Sequence, residues 1–282
     1  MDKYGEEMPM RFQCNQVQRS VRRVGLRLRL CALLVAALVP GLGVAGGYVP
    51  SEIETDMLRA IIHDDLQAIT EGRENYAATV LKIPMATASE VARAYAENQG
   101  TADLRFQNKR VLLSGVTASV QDGGQGRTLV VFDVPGAVVV RAQPRSEVVP
   151  RAMALRPGDL SVFACKAEGE RAGAIEFTDC EFGDDFVRRT WKAMQAELDA
   201  FYQGKPAKAI WAPTLAINLA MRASQMPLNN GCAESLDKCR ASSMAVGSLK
   251  GEAGDRLLKA TIQRFRDAGL DLSLFTPPPV NP

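Results

Sequence analysis

The chain has 282 residues, 46% hydrophobic and 23% charged, with a formal net charge of +2. This is ordinary globular usage and enough for a sizeable core. Residues 1–47 hold seven Lys/Arg against three acids, which leaves the remainder about −2 and excludes a strongly basic body of the kind that grips a polyanion.

The N-terminal segment reads as an export leader. RSVRRVGLRLRL supplies a basic region and CALLVAALVPGLGVAGG an apolar one, too short for the ~20 residues of a membrane span. Small residues fit a cut after Ala45, with Gly43 and Ala45, or after Gly47, with Ala45 and Gly47. The alternative is an uncleaved N-terminal anchor. Residues 1–47 are therefore assigned as signal peptide or anchor, which predicts a periplasmic or secreted location, or attachment to the inner membrane by this segment alone. Removing it takes Cys14 and Cys31 and leaves Cys165, Cys180, Cys232 and Cys239. An even number in an oxidising compartment reads as disulfides. Of three connectivities, sequence proximity favours 165–180 with 232–239.

A helical lead-in is predicted over 48–85. Ser51 is placed to cap it, Glu52 and Glu54 lie in its first turn, and Ile53, Met57, Ile61 and Leu66 keep helical spacing. His63 is the chain's single histidine, and it is expected on the solvent face beside Asp64 and Asp65. After Pro84 a second helix is expected, capped by Thr87 or Ser89 and ended by Gly100.

The period then changes to that of strands. KRVLLSGVTASVQ, RTLVVFDV and AVVVRAQ form a meander, with Gly115 marking a bulge or tight bend. A short helical link over 146–159 leads to the hairpin LSVFACKAEG–AIEFTDCEF. This is the strand order of an OB-fold, a five-stranded Greek-key barrel, here over residues 86–183. Folding the last hairpin about Arg171–Ala174 sets Cys165 opposite Cys180, within disulfide reach.

From 184 to 276 the pattern is helical, with Asp184 and Asp185 as a cap and Phe186, Trp191, Met194, Leu198 and Phe201 on one face. A second helix is expected after Pro213, then a cysteine-bearing loop over 229–243, then a last helix closed by Gly269. Residues 277–282 read as a flexible tail. The fold class is thus α+β: helices, a five-stranded OB-fold barrel, and a helical C-terminal region.

Catalytic signatures are sparse. Gly41, Gly43 and Gly46 match G-x-G-x-x-G only inside the leader, and GQGR at 124–127 is explained by a hairpin turn. No Walker A, H-E-x-x-H, G-x-S-x-G or C-x-x-C occurs. The acids Glu176, Asp179 and Glu181 are the one cluster on which an enzymatic reading could rest. The expectation is a non-enzyme with neither metal nor cofactor, binding a protein or small ligand not named by the sequence. Nucleic acid is disfavoured by the neutral body and the lack of Tyr or Trp on the strands. A polyanion face is kept as the alternative, built from Lys109, Arg127, Arg141 and Lys166.

Two stretches resemble the bacterial tRNA_anti-like family of exported OB-fold proteins. The first carries Tyr95, Asn98, Ala102, Asp103, Phe106, Lys109, Gly115 and Val116; the second carries Arg156, Gly158, Asp159, Cys165, Gly169, Asp179 and Cys180. Asn108 stands where a glycine is common, and the spacing from Cys165 to Gly169 is longer by a residue or two. The resemblance implies fold and export and transfers no catalytic residue.

Overall fold

A computed structural model describes residues 47–136, 138–247 and 251–275. The leader over 1–46, its cleavage, Cys14, Cys31 and the 277–282 tail lie outside the described residues.

Helix α1 (Glu52–Thr70) starts as its sequence dictates: the Ser51 hydroxyl accepts from the Glu54 amide. Just before it, Tyr48 is held on three sides. Its amide donates to the Tyr202 carbonyl, its hydroxyl donates to Glu54 Oε1 at 2.7 Å, and its ring lies 4.5 Å from that of Phe265. A short helix α2 (Tyr76–Val80) follows, capped by Asn75.

The expected single helix after Pro84 is two. Thr87 and Glu90 form a reciprocal capping box for α3 (Ala88–Glu97). Asn98 then leaves helical geometry and accepts from the Thr101 amide to start α4 (Gln99–Phe106). Asn98 thus supplies a new N-cap, and Gly100, expected to end the helix, lies inside the first turn of α4.

Among the described residues the sheet has six strands where five were expected: β1 (Met85–Thr87), β2 (Arg110–Asp122), β3 (Thr128–Phe132), β4 (Val139–Pro144), β5 (Leu160–Arg171) and β6 (Ala174–Phe182). The extra strand, β1, lies parallel to β2 with Met85 beside Leu112. It escapes a sequence reading because it is only three residues long. Strand β2 is long enough to serve twice, pairing with β5 along Arg110–Val116 and with β3 along Thr117–Asp122. Strands β3 and β4 are antiparallel, β4 and β6 parallel, and β5 and β6 a hairpin. The pairings therefore close a ring, β2-β3-β4-β6-β5-β2. The hairpin turns at Ala172 and Gly173, both at positive φ, the backbone twist that a two-residue connection requires.

The β2–β5 part of the sheet is buried on both faces, and successive residues serve two cores. Val111, Leu113, Phe163 and Cys165 join Phe132, Phe177, Phe106 and Tyr95 in one. Leu112, Val162 and Ala164 turn the other way, toward the helices. This explains the unbroken runs VLL and VFAC, which alternate with nothing polar. Gly115 is required by contact: a Cβ there would meet the Phe132 ring at 2.6 Å. The register break on β2 lies nearby, between Thr117 and Ser119.

The chain is joined by a short link, a 3₁₀ turn over Ser146–Val148 and α5 (Val149–Met153), between β4 and β5. Beyond the sheet come α6 (Gly183–Tyr202), α7 (Trp211–Ala223), α8 (Leu236–Ala245) and α9 (Gly251–Asp267). Three details differ from expectation. Asp184 and Asp185 do not cap α6, whose N-cap is Phe182 without a side-chain bond; they lie in the first turn, where the dipole favours acids, and pair with Arg151. Helix α7 starts at Trp211, two residues before Pro213, because a first-turn proline loses no helical hydrogen bond. The cysteine-bearing loop contains α8, capped by Ser235. Among the described residues no helix is long and apolar enough to cross a membrane.

Candidate functional site

The four cations of the expected polyanion face are each held within the chain. Lys109 donates to the carbonyls of Leu104 and Arg105, at 2.7 and 3.1 Å, and so closes the C-terminus of α4. Arg127 binds the carbonyls of Gly123 and Gly124 in its own hairpin turn. Arg141 pairs with Glu176 across β4 and β6. Lys166 meets Glu168 at 2.9 Å, and its bond is the leading cause that holds the Glu168 carboxyl below its ordinary range.

The acid cluster is likewise neutralised. Asp179 lies between Arg145 and Arg110, at 2.5 and 2.9 Å. The hydrogen bond from Arg145 is the main reason that its carboxyl is held below the usual value. Glu181 is buried and meets Arg110, Arg189 and Arg145 at 3.1, 2.5 and 3.7 Å. Three carboxylates each matched to guanidinium groups form a brace across β2, β4, β6 and α6.

Cys165 and Cys180 are joined, with Cα atoms 4.2 Å apart, and so are Cys232 and Cys239, at 4.0 Å. The first bridge lies where β6 carries one extra residue opposite β5. That residue is Asp179, at φ +52°, a conformation that Asp tolerates better than most. The bulge aims Asp179 out toward the arginines while Cys180 turns inward to its partner. Among the described residues no group of three or more His, Cys, Asp or Glu side chains comes together as a metal site. His63 is exposed on α1.

A cavity lies away from the sheet, among the helices. It is an open pocket of about 780 Å³ between α1, the start of α2, α7 and α8. Each wall is one helix face. Met57, Ala60, Ile61 and Asp64 come from α1, Leu215, Asn218, Leu219 and Arg222 from α7, and Cys239, Arg240, Ser243 and Met244 from α8. These are i, i+3, i+4, i+7 series or close to it. The apolar side chains form the floor: Met57, Ala60, Leu215, Leu219 and Cys239 are all buried. Polar groups form the rim, with Asp64 paired to Arg240 at 3.1 Å and Arg222 bonded to the Ser243 carbonyl at 2.9 Å. The Cys232–Cys239 bridge fastens the wall that α8 supplies.

Asp65 anchors one side of this cavity. The sequence placed it on the solvent face; the fold buries it. Its carboxylate accepts the amides of Tyr76 and Ala77, at 2.7 and 2.9 Å, and the indole N–H of Trp191 at 2.8 Å. Burial pushes its pKa up despite these donors. Burial also pushes the neighbouring Tyr76 hydroxyl up to about 12, with the Asp65 charge adding to it. Asp65 therefore positions α2 and fixes the Tyr76 ring at the cavity edge, stacked on Trp191 at 5.8 Å. A signal for it exists in the sequence: Asp65 falls four residues after Ile61 and four before Ile69, on the apolar stripe. Arg222, at the end of the Leu215–Leu219 face, carries a weaker one.

No family model matches the chain, and no curated protein matches it. Among solved structures, a candidate nucleic acid-binding lipoprotein from Klebsiella pneumoniae aligns at 12% identity over 39% of this chain and 98% of its own, with a TM-score of 0.32. The S. pombe Stn1–Ten1 complex aligns at 18% identity over 32% of this chain and 72% of that one, with a TM-score of 0.22. Likenesses this distant carry no reading of this chain's site, which rests on its own geometry.

Proposed function

We propose that this chain is an exported, non-enzymatic binding protein. In this reading the ring of strands is an OB-fold that serves as scaffold, and the helical region holds the ligand. The ring order, with β4 parallel to β6, supports the OB-fold assignment. Two disulfides support an oxidising compartment, in keeping with the leader.

The observation that carries the binding role is the helical cavity. Its volume of about 780 Å³, apolar floor and few polar groups match a small-molecule site. Polyanion binding through Lys109, Arg127, Arg141 and Lys166 is the reading it displaces, since each of those cations already has an intramolecular partner.

The test is titration of the folded protein with an environment-sensitive apolar fluorophore, beside the variant Asn218→Trp. Asn218 is an exposed rim residue, so a large side chain there narrows the mouth without disturbing the floor. Saturable binding that N218W abolishes is the expected result. Binding indifferent to N218W would overturn the assignment.

A further inference from the structure

We infer that the helical cavity selects a monoanionic amphiphile: an organic carboxylate with one charged end and an apolar body. The inference rests on the reading of that cavity as the ligand site and adds the class of ligand.

Arg222 carries the argument. It is half-buried on the cavity wall. One of its nitrogens donates to the Ser243 carbonyl at 2.9 Å, and among the described residues no carboxylate pairs with it. Arg240, on the facing helix, is by contrast matched to Asp64. A guanidinium has five N–H donors in a planar fork. Partly withdrawn from water and without a counter-ion, it is best satisfied by an anion that accepts from two of them at once.

The rest of the lining limits that anion. Asp64, Asp65 and Glu74 face the same cavity. A phosphate dianion or a polyanion would meet three carboxylates, whereas one carboxylate confined to Arg222 meets the fewest. Below it lie Leu215 and Leu219 on the same helix face, with Met57 and Ala60 opposite. Burying a hydrocarbon chain over them removes apolar surface from water and favours binding. The cavity is large enough for an alkyl or aryl body of drug-like size.

The experiment uses three probes of equal chain length, decanoate, decanol and decylammonium, each titrated into the folded protein below its micelle concentration. Decanoate is expected to bind saturably at one site, at least tenfold more tightly than either other probe. Arg222→Gln should remove that tenfold advantage and leave decanol unchanged, and Arg222→Lys should restore part of it. Should R222Q fail to fold, the order of the three probes on the unaltered protein decides. Decanol binding as tightly as decanoate, or decylammonium more tightly, overturns the anionic class while leaving the cavity assignment in place. Absence of binding by all three overturns the cavity assignment as well.

Discussion

The Trp191 indole donates to Asp65 across a sequence separation of 126 residues, and the bond is buried at both ends. It joins the first helix of the body to the first helix after the sheet, and the same carboxylate holds the start of α2. Removing the acid leaves an indole N–H and two backbone amides without an acceptor. Asp65→Ala should therefore cost about 3 kcal/mol or more, read by urea unfolding. Trp191→Phe should cost less than that and leave α2 in place, because two of the three donors remain.

The same group has a pH signature. Its folded pKa is raised, so the folded state holds this proton more tightly than the unfolded chain. Its contribution is complete below the unfolded value and declines as pH rises through the folded one. Stability measured from about pH 4 upward should fall more steeply in the unaltered protein than in Asp65→Asn.

Asp179 has the opposite sign. Its pKa is lowered, first by Arg145, so its contribution is present above the ordinary carboxylate value and is lost as pH falls through the folded one. Acid unfolding below about pH 4 should be less steep in Asp179→Asn. Asparagine tolerates the positive φ at this bulge, which separates loss of charge from backbone strain.

The two bridges should differ in what they control. Replacing Cys165 and Cys180 by Ala should lower stability by about 3 kcal/mol, as expected for a closed loop of ~15 residues. Replacing Cys232 and Cys239 releases a shorter loop and should cost less, but it frees a wall of the cavity. Apolar-probe binding should weaken more in the second variant than in the first, as measured by fluorescence titration.

Single-stranded oligonucleotides should show no salt-dependent binding, even at low ionic strength. Lys109 closes a helix, Arg127 a turn, and Arg141 and Lys166 pair with acids. Filter binding at low and moderate salt reads this directly, and a log–log slope of several counterions would contradict it.

Much of the sheet was legible because its signals are local. Short apolar runs, Pro-Gly and Gly-rich turns, and a hairpin with two facing cysteines need no knowledge of distant partners. β1 was not, since three residues carry no period. The candidate site was largely invisible for a different reason. Asp65 looks like its neighbour Asp64 until Trp191 arrives from another helix, and Arg222 looks like any terminal helix cation until its wall meets α1 and α8. Lys109, Arg127, Arg141 and Lys166 were legible as charges. Their partners were carbonyls and acids set by turns and register, which composition does not reveal.

Tyr48 sets the order in which the body can be completed. It is among the first described residues to emerge during synthesis, yet its ring rests on Phe265 and its amide on Tyr202. Until α9 has left the ribosome, the Phe265 side of this tyrosine's site is missing. The helical region can therefore reach its final packing only once α9 has been synthesised, while the strand ring, complete by residue 182, has all its pairing partners earlier.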